Sequence, residues 1–135
     1  DEIIDCCSKN SYKIIDFDDK AYPKRLKEII NPPAVLYVDG DLPDIDNLVC
    51  IGMVGTRKAS EYAIKAAHIM AKGITEAGAL VVSGGALGID TYSHLGALAC
   101  GGKTVAVLGN GLGNNYLKAN EGLKNMIKQN GPLVT

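Results

Sequence analysis

Leu80-Val81-Val82-Ser83-Gly84-Gly85-Ala86-Leu87-Gly88-Ile89-Asp90 changes character twice within one short span. Leu80 to Ser83 is an apolar run of strand length. Ser83 to Gly88 packs three glycines into six residues. From Ile89 to Ala99 the apolar positions recur at helical spacing. Strand, bare turn and helix form the repeating unit of an open parallel sheet. Its turn leaves backbone N–H groups uncovered at a helix N-terminus, where the macrodipole adds roughly half a positive charge.

The unit recurs on both sides. Upstream, Leu48 to Val54 is an apolar run that ends in Gly55-Thr56-Arg57. Ser60 is placed to cap a helix over about 61–77, in which Ala63, Ala66, Ala67, Met70 and Ile74 recur at helical spacing, and Gly78 ends it. Downstream, Thr104 to Leu108 reads as a strand and Gly109 to Tyr116 as a loop. Asn120 is placed to cap a helix over about 121–129, and Leu133-Val134-Thr135 opens a further strand. The pattern predicts an α/β fold, extended Rossmann-like, with a mainly parallel sheet and helices on both faces.

The first third reads differently. Residues 1–12 are expected to be the end of an upstream helical segment. Residues 13–46 are expected to extend the core, with a strand at Lys13 to Phe17, a helix from Pro23 to Ile30 stopped by Asn31-Pro32-Pro33, and a strand from Ala34 to Val38. Residues 47–135 form the expected Rossmann-like core, read as truncated at Thr135.

The 135 residues are 47% hydrophobic and 21% charged, the composition of one ordinary globular domain. No stretch is long and apolar enough to cross a membrane. The acidic N-terminus (Asp1, Glu2, Asp5) is unlike a secretory signal. Cys6, Cys7, Cys50 and Cys100 form neither a CxxC motif nor a Cys/His ligand set, so reduced cysteines in the cytoplasm are expected, with no metal and no cofactor. Net charge is −1, but residues 1–46 hold 11 acidic and 6 basic side chains, whereas residues 47–135 hold 4 acidic and 8 basic. The glycine-rich part is the basic part.

In open parallel sheets, ligands gather where strands end and helices begin. Gly55 permits a tight turn there, Thr56 offers a hydroxyl, and Arg57 offers a planar fork for two phosphate oxygens, unless it pairs with a carboxylate such as Asp90. Ser83, Gly84, Gly85 and Gly88 offer a hydroxyl and bare amides. The loop lacks GxGxxG spacing and a Walker lysine, so neither a standard dinucleotide fingerprint nor a P-loop fits. Asn110 is suited to base edges or ribose, Tyr116 to stacking, and Lys118 to a phosphate. Asp90 and His94 share a helical face and are expected to support the site. No nucleophile pattern accompanies His94, so no catalytic residue is assigned.

The chain resembles the DNA-processing protein A family (DprA, also called Smf). The resemblance rests on Tyr22-Pro23, Pro32-Pro33, Leu36-Tyr37, Val54-Gly55-Thr56-Arg57, Ser83-Gly84-Gly85-Ala86, Gly88-Ile89-Asp90, His94, Gly109, Gly111-Leu112, Tyr116 and Asn120 at the family's order and spacing. It implies a cytoplasmic protein that binds single-stranded DNA without regard to sequence during natural transformation. It further implies delivery of that strand to the RecA recombinase, homodimerisation of the full-length protein, and no established catalysis. Arg57 and the 83–88 loop carry over as DNA contacts, as does Lys118. Leu87, Gly113, Leu117 and Ala63 depart from common family residues.

Two other readings stay open. The lysine-decarboxylase-like Rossmann group hydrolyses nucleoside monophosphates with a Pro-Gly-Gly-x-Gly-Thr loop and a glutamate. The corresponding place here has Ser83-Gly84-Gly85-Ala86-Leu87-Gly88 and Asp90. A scaffold that has lost DNA binding is the third.

Overall fold

The computed structural model describes residues 1–113 and 118–135. The elements are α1 (Glu2–Asn10), β1 (Lys13–Asp16), α2 (Lys24–Lys27), β2 (Val35–Asp39), β3 (Cys50–Gly52), α3 (Glu61–Glu76), β4 (Leu80–Ser83), α4 (Ile89–Ala99), β5 (Thr104–Val107), α5 (Glu121–Asn130) and β6 (Leu133–Val134). A 3₁₀ turn over Lys118–Asn120 leads into α5.

The six strands form one sheet in the order β1-β2-β6-β5-β4-β3. β3, β4, β5 and β6 run parallel, in register Cys50↔Leu80, Val81↔Thr104 and Ala106↔Leu133. β1 and β2 join antiparallel on the β6 side. This is the expected α/β, Rossmann-like arrangement, with the residue 13–46 segment supplying the two antiparallel strands.

Alternation along the strands makes two cores. Val81 packs with Ala71 and Ala97 of α3 and α4, while Ala106 and Leu133 pack with Leu123 and Ile127 of α5. Their neighbours Leu80, Val105 and Val134 point to the other face, with Ile15, Tyr22, Leu36 and Val38, and Leu26 of α2 covers part of it. Each fully buried Val, Leu or Ile contributes on the order of 2 kcal/mol. α3, α4 and α5 therefore share one face and begin at one rim of the sheet, so the expectation of helices on both faces is met only by the four-residue α2 on the other.

Two elements are shorter than the sequence predicts. The helix expected over 23–30 is only Lys24–Lys27; the Asp46 carboxylate accepts from its first two N–H groups, and the chain leaves the helix at Glu28 and turns toward Pro32-Pro33. The strand expected over 48–54 is found as Cys50–Gly52 at the edge of the sheet, with the Leu80 N–H donating to the Val49 carbonyl and the Met53 N–H to the Val82 carbonyl at its two ends.

Candidate phosphate-binding cleft

A cleft of about 500 Å³ opens at the C-terminal ends of the parallel strands. Arg57 contributes from the loop after β3. Gly84, Gly85 and Ala86 come from the loop after β4, Gly109 and Asn110 from the loop after β5, and Lys124 from α5, with Asp90 also in the lining. The predicted Arg57, Gly84, Gly85 and Asn110 are thus brought together on one rim.

Arg57 is exposed, and among the described residues it forms no ion pair. The alternative of a guanidinium neutralised by Asp90 is therefore not what the structure holds. Asp90 is 8% exposed, in the first turn of α4, where the helix dipole favours a carboxylate. Its Oδ2 lies 2.5 Å from the place a side chain at Gly84 would occupy, so Gly84 is the residue that fits there.

Gly88 holds the two loops against each other. Its φ is 81°, a conformation in which a side chain is strained, and an added Cβ would meet the carbonyl oxygens of Thr56 and Arg57. The adjoining Ile89 N–H donates to the Thr56 carbonyl at 3.2 Å, and Gly55 lies against the Ile89 side chain. The first β–α loop is therefore positioned by the start of the helix belonging to the second.

The 84–86 loop is fixed through its carbonyls. His94 Nε2 lies 2.6 Å from the Gly84 oxygen. Asn120 Nδ2 donates to the Gly85 oxygen at 2.9 Å, and Thr91 Oγ1 donates to the Ala86 oxygen at 2.8 Å. The N–H groups of Gly84, Gly85 and Ala86 donate to no turn, loop or cap carbonyl among the described residues.

Several expected residues sit elsewhere. Ser83 is 3% exposed and its hydroxyl donates to the Met53 carbonyl at 2.6 Å, which ties β4 to the end of β3 and removes it as a phosphate donor. Thr56 is exposed outside the cleft lining, and its hydroxyl oxygen accepts from the Lys58 N–H at 3.2 Å. Lys118 is exposed at the start of the 3₁₀ turn and is also outside the lining. Tyr116 lies outside the described residues. Asn120 makes no side-chain cap on α5; its Nδ2 donates instead to the Gly85 carbonyl and to Thr91 Oγ1. Lys124 was not foreseen in the cleft.

His94 is fully buried. A carbonyl accepts, so Nε2 carries a proton toward Gly84, and Nδ1 lies 2.8 Å from the Thr104 hydroxyl. Burial pushes the imidazole below its ordinary pKa. The Gly84 hydrogen bond and the Asp90 carboxylate oppose this without reversing it. Below about pH 6.5 the unfolded chain takes up a proton that the folded one refuses. His94 therefore costs stability as pH falls from that point toward its lowered folded pKa, and costs nothing above it. Thermal melts between pH 7.5 and 5 should show a decline that is shallower in His94→Gln. Equal slopes refute this.

No helix among the described residues is long and apolar enough to cross a membrane. The four cysteines are free, with Cys7 buried.

Comparison with known proteins follows the same outline. The family model for DNA recombination-mediator protein A matches residues 13–135. The chain is 39% identical over 122 residues to the DNA processing protein DprA of Streptococcus pneumoniae, covering 89% of this chain and 43% of that protein. It is 37% identical over 106 residues to the DprA of Bacillus subtilis, covering 78% of this chain and 36% of that protein. The X-ray structure of the Streptococcus pneumoniae protein superposes with a TM-score of 0.84 at 34% identity, over 97% of this chain and 46% of that one. DNA processing protein A from Helicobacter pylori, solved to describe its single-stranded DNA binding mode, superposes with a TM-score of 0.80 at 28% identity, over 94% of this chain and 56% of that one. The chain thus spans less than half the length of the two curated relatives.

Proposed function

The chain belongs to the DNA recombination-mediator protein A family, and from that premise we propose that it binds single-stranded DNA, without regard to base sequence, in the cleft at the ends of β3, β4 and β5. The observation that carries this reading is an exposed Arg57, without an ion pair among the described residues, facing the amides of residues 84–86, which donate to no turn, loop or cap carbonyl among them, across one cleft. Guanidinium and amides both donate to phosphate oxygens, which every nucleotide supplies. On this reading the protein acts in the cytoplasm during DNA uptake for natural transformation, the full-length form is a homodimer, and the bound strand passes to RecA.

Fluorescence-anisotropy titration with labelled oligo-dT at two salt concentrations tests it. Binding should weaken steeply with salt, with a slope of about −0.7 in log K against log salt per phosphate neutralised. Absent or salt-independent binding would overturn the reading. Asp90 beside the cleft is the one observation that favours a second reading, nucleotide hydrolysis. Release of free base from nucleoside monophosphates decides it: measurable turnover favours hydrolysis, and none removes it.

A further inference from the structure

The three carbonyl tethers of the 84–86 loop have a directional effect. In a trans peptide unit the carbonyl of one residue and the N–H of the next point in opposite directions. Holding the Gly85 oxygen on the Asn120 side therefore turns the Ala86 N–H the other way, and holding the Ala86 oxygen on Thr91 does the same for the Leu87 N–H. The proton inventory of this bridge is fully determined. One amide proton of Asn120 goes to the Gly85 oxygen at 2.9 Å and the other to Thr91 Oγ1 at 3.1 Å. The Thr91 hydroxyl proton goes on to the Ala86 oxygen at 2.8 Å. Asn120 is 4% exposed, so water does not compete for these bonds.

The bridge spans three elements. Asn120 stands at the junction into α5, Thr91 is in the first turn of α4, and the loop follows β4. An asparagine is needed for this, because an aspartate in its place has no proton for either partner.

We propose that Asn120, acting through Thr91, is a positioning residue that holds the 84–87 backbone as a preformed anion cradle. The proposal rests on the phosphate-binding reading above and deepens it. A loop ordered before the ligand arrives does not lose that ordering entropy on binding.

The test uses oligo-dT anisotropy on Asn120→Asp, Thr91→Val and Thr91→Ser, with thermal melts to confirm folding. Asn120→Asp and Thr91→Val should weaken binding by on the order of tenfold, as expected for loss of a hydrogen bond to a buried group. Thr91→Ser, which keeps the hydroxyl, should restore it. In Thr91→Val, which changes no charge, the slope against salt should stay at the wild-type value, because neutral backbone amides release no counterion. Wild-type affinity in folded Asn120→Asp or Thr91→Val overturns the proposal. So does a changed salt slope in Thr91→Val, which would mean that the substitution removes a charged phosphate contact. If Asn120→Asp does not fold, the Val and Ser pair at 91 decides.

A second measurement separates this proposal from the reading it rests on. Inorganic phosphate titrated into ¹⁵N-labelled protein should shift the Ala86 and Leu87 amide resonances in wild type and not in Thr91→Val. That pattern without any oligonucleotide binding would keep the cradle and refute the DNA reading. Unshifted resonances in wild type refute the cradle.

Discussion

Gly88→Ala is expected to lower the stability of the protein by about 3 kcal/mol or more. The positive φ alone costs a non-glycine residue on the order of 1–3 kcal/mol. The collision adds to it, because the new methyl group would meet the main-chain oxygens of Thr56 and Arg57 rather than a side chain that can swing aside. Relief requires the loop after β3 to part from the start of α4, which breaks the Ile89 N–H bond to the Thr56 carbonyl. Denaturant melts of the two proteins give the difference directly, and a loss below about 1 kcal/mol would contradict the packing described. Any oligonucleotide affinity of the folded fraction should also fall, because Arg57 is carried on the displaced loop.

Arg57→Ala should act on binding and leave stability alone. The side chain is exposed and makes no ion pair among the described residues, so its removal should change stability by less than about 0.5 kcal/mol. Oligo-dT affinity should fall by about 1–3 kcal/mol, and by similar amounts for oligo-dC and oligo-dA, since a phosphate contact carries no base information. The slope of log K against log salt should become shallower by about 0.7, one phosphate fewer. Arg57→Lys should keep the slope and lose part of the affinity, because an ammonium lacks the two-pronged geometry. An unchanged affinity in Arg57→Ala would place the strand elsewhere on the molecule.

Where local periodicity dominates, sequence and structure agree closely. The helix read as Ile89 to Ala99 is found at Ile89–Ala99, and the one read as 61–77 ends at Glu76. Ser60 caps the latter through its hydroxyl, as its position suggests. The disagreements come from long-range partners. Asn120 occupies a capping position, but Gly85, far away in sequence, takes its amide. Ser83 adjoins the bare loop, yet its place in the alternation of β4 turns it inward, where the Met53 carbonyl accepts its proton. Lys124 had an available signal. It lies near the start of α5, where a cation opposes the helix dipole and so stands out in the pattern. That the 84–86 carbonyls are all tethered was not legible, because Asn120, which lies far off in the chain, supplies one donor while Thr91 and His94 of α4 supply the other two.

The stacking of α3, α4 and α5 on one face, each entered from the same rim, gives the molecule a polarity that its formal charge of −1 conceals. Three aligned backbone dipoles place the equivalent of roughly half a positive charge apiece along that edge, independent of pH and of any titrating side chain. Each N-terminus is faced by one carboxylate in its first turn, Glu61, Asp90 and Glu121, and it is with Arg57 and Lys124 in the cleft that this rim favours a polyanion. On the proposed reading, main-chain dipoles and these two cations together orient the strand on encounter, and a screen that ranked proteins by isoelectric point would pass this one over.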